Sequence, residues 1–158
     1  MPRSVEITVR HPGLSANRKA LRAAIATLDG SSARFSGGCP DGELSVAILT
    51  DAELALIHGD FLDDPSMTDV ITFEGQAALG TAGEICISAD AAARYAATHK
   101  RSFSEELTLY LVHGWLHLAG YDDLRPELKR AMRRAEKRAM SLLAERRLLN
   151  GFRLKAIS

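Results

Sequence analysis

Two histidines and an aspartate within residues 113–123 have the types and spacing of a metal site. The stretch reads HGWLHLAGYDD, with His113 and His117 four residues apart. Side chains at i and i+4 lie on one face of an α-helix, so both imidazoles can reach one ion. Gly120 tolerates the left-handed conformation that ends many helices, and such a turn can bring Asp123 back to the same ion. We therefore predict that His113, His117 and Asp123 bind a metal.

The chemistry of such a site would be hydrolytic. Two imidazoles and one carboxylate leave a coordination position open, which is typical of a catalytic zinc ion, here one per chain. A water at that position becomes acidic enough to attack at neutral pH. The spacing is also similar to that of the metzincin proteases, but these place a glutamate base directly after the first histidine. This chain has Gly114 there, so a zinc peptidase is the weaker hypothesis, and the spacing assigns no general base.

Charge is unevenly distributed along the chain, although its net charge is zero. Residues 1–126 hold 10 Lys and Arg against 17 Asp and Glu, whereas residues 127–158 hold 10 against 3. The basic residues of the C-terminal part recur at helical spacing, which would suit contacts with the phosphates of a nucleic acid. Apolar residues lie between them, so a solvated helix that docks on the core by its other face is also an open interpretation.

Length and composition predict one domain over residues 1–158. Of the 158 residues, 46% are hydrophobic, which is enough for one sizeable core. The start of the chain shows no signal-peptide pattern, and no apolar run approaches the roughly 18 residues of a membrane span. Cys39 and Cys86 form no C-x-x-C pair, and Cys86 has the surroundings of a strand hydrophobe. We expect a cytosolic protein without a membrane segment or a disulfide, and the oligomeric state stays open.

Hydrophobic patterning predicts strands and helices around the histidine segment. Alternating or short apolar runs predict strands, and apolar residues at helical spacing predict helices, three of which follow a Ser or Thr cap at Thr50, Ser88 and Ser102. The predicted strands are residues 5–9, which should form an outer strand, 44–49, 70–73 and 82–88, the last two as a hairpin-like pair. The predicted helices are residues 17–28, a helix opening at Thr50, 89–99, the histidine helix after Ser102, and 126–149.

The histidine segment and two upstream strands resemble the YbeY family, bacterial metal-dependent endoribonucleases associated with the maturation of ribosomal RNA. The signature of that family is H-G-x-L-H-L-x-G-Y-D-H, and residues 113–122 match it at every specified position. Residues 68–73 (TDVITF) resemble its T-[DN]-V-[LI]-[ST]-F strand, and residues 83–88 (GEICIS) resemble its G-[DE]-I-x-I-[SC] strand. The resemblance implies an α+β fold, in which a small mixed β-sheet packs against helices and a central helix carries the metal-binding histidines.

The resemblance also implies a function, which is metal-assisted phosphodiester cleavage in single-stranded or junction RNA during ribosomal RNA processing. By the same analogy, Thr68, Asp69 and Thr72 line the cleft beside the metal. The alternative is a ribosome-associated assembly factor that binds ribosomal RNA or ribosomal proteins. In that case the metal would only hold the turn of residues 113–123 in place.

This chain departs from the family pattern in two places. The third ligand of the family is usually histidine, whereas this chain has Asp123, whose charge makes a bound water less acidic. Some relatives also carry an arginine shortly before the T-[DN]-V strand, yet residues 58–68 contain no Lys or Arg and hold three aspartates. Phosphate binding must then come from elsewhere, and the candidates are Arg125 and the basic last helix.

Overall fold

The computed structural model describes residues 3–62 and 69–155, and these ranges contain five α-helices, six β-strands and two 3₁₀ turns. In chain order the elements are β1 (Val5–Val9), β2 (Leu14–Ala16), α1 (Arg18–Asp29), a 3₁₀ turn (Ser32–Arg34), β3 (Glu43–Leu49), α2 (Asp51–Leu62), β4 (Val70–Glu74), a 3₁₀ turn (Ala77–Leu79), β5 (Thr81–Ser88), α3 (Ala89–Thr98), α4 (Phe103–Leu118), α5 (Pro126–Glu145) and β6 (Phe152–Leu154). None of the helices in the described ranges is long and apolar enough to cross a membrane.

A mixed four-stranded sheet in the order β1-β3-β5-β4 supports the helices. Strands β1 and β3 run parallel to each other, as do β3 and β5, while β4 runs antiparallel to β5. The outer position of β1 and the antiparallel pairing of β4 with β5 were both predicted. The α+β class with a small mixed sheet packed against helices is therefore confirmed.

Helix α4 packs on this sheet and also contacts α3 and α5, so it has the central position that was expected. Leu107, Trp115 and Leu116 have no exposed surface. The Trp115 ring meets the ring of Phe35 edge-on, and its Nε1–H donates to Oδ1 of Asp29 at 3.1 Å. Each fully buried side chain of this size contributes about 1.5–3 kcal/mol, so these contacts hold the histidine helix firmly in place.

Gly114 allows α4 to approach β5 closely. A Cβ atom at this position would lie 2.4 Å from Cγ2 of Ile85, far inside van der Waals contact. Ile85 pairs with Thr72 of the edge strand β4. Directly paired residues of an antiparallel pair share one face of the sheet, so Thr72 lies on the face that carries α4.

The predicted caps Thr50, Ser88 and Ser102 are confirmed by hydrogen bonds from the first turn of their helices, and Asn17, which was predicted as the first residue of its helix, caps α1 in the same way. The backbone N–H groups of Ala20, Glu53, Ala91 and Glu105 donate to the side-chain oxygens of Asn17, Thr50, Ser88 and Ser102 at 3.0, 3.2, 3.0 and 3.3 Å. Each cap satisfies a backbone donor that has no partner within its helix.

The C-terminal part differs from the prediction, because α5 ends at Glu145 rather than at residue 149. Arg147 has φ of 58°, and the hydroxyl of Ser104 donates to the carbonyl of Leu149 at 2.7 Å. The same hydroxyl accepts the backbone N–H of Phe152 at 3.1 Å. These bonds draw the chain out of the helix and into β6, which pairs with β2 in a second, two-stranded sheet that was not predicted.

Candidate metal centre

His113 and His117 lie near the C-terminal end of α4, with their Nε2 atoms 3.0 Å apart. The carboxylate of Asp123 lies 3.7 Å from Nε2 of His113 and 4.0 Å from Nε2 of His117. Ligands of a tetrahedral ion with bonds of about 2.0–2.1 Å are expected about 3.3 Å from one another. One donor atom from each residue lies within 4.8 Å of the other two, so the structure brings the three predicted ligands together.

The turn after α4 returns the chain toward the histidines. The N–H of Gly120 donates to the carbonyl of His117 and the N–H of Tyr121 to the carbonyl of Leu116, both at 3.0 Å. This pair of bonds is the Schellman arrangement of helix ends. Gly120 has φ of 106°, in the region that favours glycine, as the sequence predicted.

Asp122 shapes the approach of Asp123 and does not join the three candidate ligands. Its Oδ1 accepts hydrogen bonds from the backbone N–H groups of Asp123 at 2.6 Å and Leu124 at 3.1 Å. In this Asx-type turn a short acidic side chain holds the backbone that follows it. The Asp123 side chain is thereby held beside the histidines while 39% of it stays exposed.

The carboxylate of Glu136 on α5 is hydrogen-bonded to Nδ1 of His113, the ring nitrogen that is not among the candidate donor atoms. Its Oε2 lies 2.8 Å from Nδ1, and its side chain is only 14% exposed. A carboxylate at this nitrogen places the ring proton on Nδ1 and leaves Nε2 free for a metal, as is common for metal-binding histidines. Glu136 was not among the site residues predicted from the sequence. Its sequence position gave one indication of a buried role: it is an acidic residue in a helix rich in Lys and Arg, next to the inward-facing positions Met132, Ala135 and Ala139.

The surroundings of His117 favour its uncharged form. Burial lowers the pKa of His117 below its usual value, and the neighbouring His113 adds to this effect. The Asp123 carboxylate and the backbone of Tyr121 act in the opposite direction. Because only neutral imidazole binds a metal, a lowered pKa of His117 matches the donor set to a cation at physiological pH.

The residue after the first histidine faces the sheet instead of the histidine cluster. Gly114 is buried against Ile85, which leaves no room there even for a Cβ atom. A glutamate base in the metzincin position is therefore sterically incompatible with this packing, and the peptidase hypothesis has no base at that position.

The residues predicted to bind substrate lie in three different settings. Arg125 is exposed at the N-cap of α5, two residues after Asp123. Thr72 is half-buried on the α4 side of β4, and Asp69 is exposed just before that strand. Thr68 lies outside the described residues. Among the three that the structure describes, Arg125 is the one that adjoins the turn carrying the third candidate ligand.

Comparison with known proteins gives one consistent family. The family model described as Endoribonuclease YbeY matches residues 9–144. A protein named Endoribonuclease YbeY from Anaeromyxobacter dehalogenans is 37% identical over 144 residues, which cover 89% of this chain and 71% of that protein. A protein of the same name from Syntrophotalea carbinolica is 42% identical over 112 residues, covering 67% of this chain and 74% of that protein.

A solved structure supports the fold. The solution structure of TM1509 from Thermotoga maritima superposes with a TM-score of 0.62, covering 93% of this chain and 94% of that chain, at 23% identity. At this identity the match concerns the fold alone, whereas the family model and the two sequence relatives concern the family. On their evidence, this chain belongs to the endoribonuclease YbeY family.

Proposed function

We propose that this protein is a metal-dependent endoribonuclease that cleaves single-stranded RNA during the maturation of ribosomal RNA. The observation that carries the proposal is the convergence of His113, His117 and Asp123 at the end of α4 in a chain of this family. The names of the relatives give the reaction class. The open, three-donor cluster gives a chemical means for it.

Zinc is the proposed ion, one per chain, held by Nε2 of each histidine and by the Asp123 carboxylate. Imidazole and carboxylate ligands suit zinc, and three protein ligands leave one position open. A bound ion would supply Lewis-acid stabilisation of a phosphate oxygen and a more acidic water. The close approach of the two Nε2 atoms, at 3.0 Å, supports a shared cation between them.

The protein itself orients these groups and leaves them accessible. Glu136 accepts the Nδ1–H of His113 and so fixes the tautomer and the ring plane. The side chains of His113, His117 and Asp123 are 22%, 24% and 39% exposed, so a phosphodiester can approach the cluster. We further propose that the exposed Arg125 guanidinium binds a substrate phosphate beside the cluster.

Elemental analysis of the purified protein, run beside His117→Ala and Asp123→Ala, tests the metal assignment. We expect about one zinc per chain in the wild type and loss of zinc in both variants, while circular dichroism shows that they remain folded. Cleavage of single-stranded RNA should disappear together with the metal. Normal cleavage by metal-free His117→Ala would contradict the metal mechanism.

Ribosome association separates this proposal from the assembly-factor alternative. A binding factor with a structural metal would associate with ribosomes or ribosomal proteins but leave RNA intact when fully loaded with zinc. Wild-type protein that cleaves RNA in a zinc-dependent manner would exclude a purely structural role for the metal.

A further inference from the structure

A groove of about 330 Å³ between α4 and α5 adjoins the metal centre. Glu136 lines this groove and also bonds to Nδ1 of His113. One side chain therefore connects the groove to the proposed ligands. Leu109 of α4 and Met140 of α5 add apolar surface to the groove.

Three cations, Arg101, Arg133 and Lys137, line the groove and are exposed. Arg133 and Lys137 are separated by about one helical turn, or roughly 6 Å along the axis. Among the described residues, neither side chain makes a hydrogen bond or an ion pair. Arg138, in contrast, donates to the carbonyl of Arg34 and lies over the ring of Phe35, so its charge has a structural role.

The carboxylates of the groove are mostly withdrawn from solvent. Glu106 is 5% exposed and shares a hydrogen bond with Tyr110, and Glu136 is engaged with His113. Glu105 is the exposed acid of the groove. The surface that a ligand meets is therefore predominantly cationic.

We infer that the groove between α4 and α5 binds backbone phosphates of the RNA strand, with Arg133 and Lys137 as positioning residues for the strand that enters the metal centre. The inference rests on the proposed ribonuclease function. Residues 58–68 contain no Lys or Arg, so the charge that neutralises the strand must come from another part of the chain. Residues 127–158 hold 10 Lys and Arg against 3 Asp and Glu. The link through Glu136 to the centre of cleavage favours RNA over an acidic protein as the occupant.

A matched pair of double variants tests the inference. Arg133→Gln/Lys137→Gln removes the two groove cations of α5 and leaves Arg101, whereas Arg130→Gln/Arg134→Gln removes the same charge, at the same spacing, from exposed residues of α5 outside the groove. Fluorescence anisotropy of a labelled 2′-O-methyl oligouridylate, with zinc-loaded protein over a range of KCl concentrations, gives the affinity and its salt dependence. Thermal melting checks that each variant is folded.

The two double variants should behave differently. On single strands each phosphate contact contributes about 0.7 to the slope of the logarithm of the binding constant against the logarithm of the salt concentration. Relative to 1 M salt, one contact therefore strengthens binding at 0.1 M salt roughly fivefold. Loss of both groove contacts should therefore weaken binding by about 25-fold and flatten the slope by about 1.4, while the control pair changes little. Glu105→Gln should tighten binding.

Kinetics on cleavable RNA supply a second readout. The groove variant should raise KM with little change in kcat, as expected for positioning residues that do not touch the reacting atoms. Equal losses in both double variants, or normal RNA binding by the groove variant, would overturn the inference. If the groove variant lost binding of a ribosomal protein but still bound RNA normally, the inference would also be overturned, in favour of a protein occupant of the groove. If only the groove variant lost RNA binding but the zinc-loaded wild type never cleaved RNA, the result would support RNA binding in the groove and refute the proposed function.

Discussion

The carboxylate of Glu136 and Nδ1 of His113 are joined by a hydrogen bond of 2.8 Å. This bond connects α5 to the histidine helix α4 at the candidate metal centre. It fixes which nitrogen of His113 carries the proton, and thereby which nitrogen can face an ion. The basic last helix is therefore part of the site as well as part of the surface.

Replacing Glu136 should weaken metal binding without abolishing it. Partners of this kind typically contribute 10–100-fold to metal affinity, so we expect a zinc Kd about 10–100-fold higher in Glu136→Ala. Glu136→Gln should have a smaller effect, because the amide oxygen can still accept the Nδ1–H. Competition with a chromophoric chelator measures both values. An unchanged Kd in Glu136→Ala would show that His113 is oriented by other contacts.

Gly114→Ala should destabilise the protein although alanine favours helices. The new Cβ would lie 2.4 Å from Cγ2 of Ile85, so the helix or the strand must shift. Overpacking of this kind costs about 1–3 kcal/mol, against about 1 kcal/mol gained in helix propensity. Urea denaturation should therefore give a net loss of up to about 2 kcal/mol.

Ile85→Ala provides the control for this substitution. It removes the clashing methyl group, so the cost of Gly114→Ala should largely disappear in the Ile85→Ala background. Equal costs in both backgrounds would mean that the close approach of α4 to β5 does not limit the residue at position 114.

The two cysteines should be unreactive in the native protein. Burial raises the pKa of the Cys39 thiol to about 11, and burial together with Glu84 raises that of Cys86 to about 12. Both thiols therefore stay protonated at pH 8, and the thiolate is the reactive form. Ellman's reagent should label neither thiol rapidly until denaturant is added, and then both. Rapid labelling of the folded protein at pH 8 would contradict the burial of these side chains.

Asp51 should stabilise the protein at neutral pH and cease to do so in acid. Burial raises the pKa of Asp51, but hydrogen bonds from Arg94 and Ser88 lower it by more, so it lies below its usual value. A carboxyl group whose pKa is lower in the folded protein stabilises the fold at pH values above 3.8, which is its ordinary pKa in the unfolded chain. This stability is lost as the pH falls through the pKa of the folded state. Asp51→Asn should thus cost about 1–2 kcal/mol at pH 7.

Urea denaturation at pH 7 and at pH 3 measures this dependence. The difference between wild type and Asp51→Asn should shrink in acid, because the unfolded wild-type chain then binds a proton at Asp51 more readily than the folded protein does. Arg94→Gln is the matched control, since it removes the partner and leaves the carboxylate. A difference that stays constant with pH would assign the effect to packing.

Local signals were sufficient to predict most elements near the site. A helix cap needs only a side chain and a backbone N–H a few residues away, as at Ser88 and Ser102, so the sequence pattern reveals it directly. The same holds for the i, i+4 histidines and for the glycine turn at Gly120, whose positive φ needs no distant contact. These features define the triad of candidate ligands.

Long-range contacts account for what the sequence did not predict. Strands β2 and β6 have three residues each and form only because segments near the two ends of the chain meet. Such short strands carry too little periodicity to be recognised. The role of Glu136 depends on α5 docking against α4, a tertiary relationship that the spacing within either helix does not contain.

All three candidate ligands lie within residues 113–123, and this locality affects how metal binding couples to folding. Closing a short loop costs little chain entropy, so an unfolded chain still presents these donors close together. Any affinity of zinc for the unfolded chain would subtract from the stability that bound zinc would confer on the native state. Zinc affinity and melting temperature should therefore be only loosely coupled in this protein, and Glu136, contributed from α5, is the part of the site that folding adds.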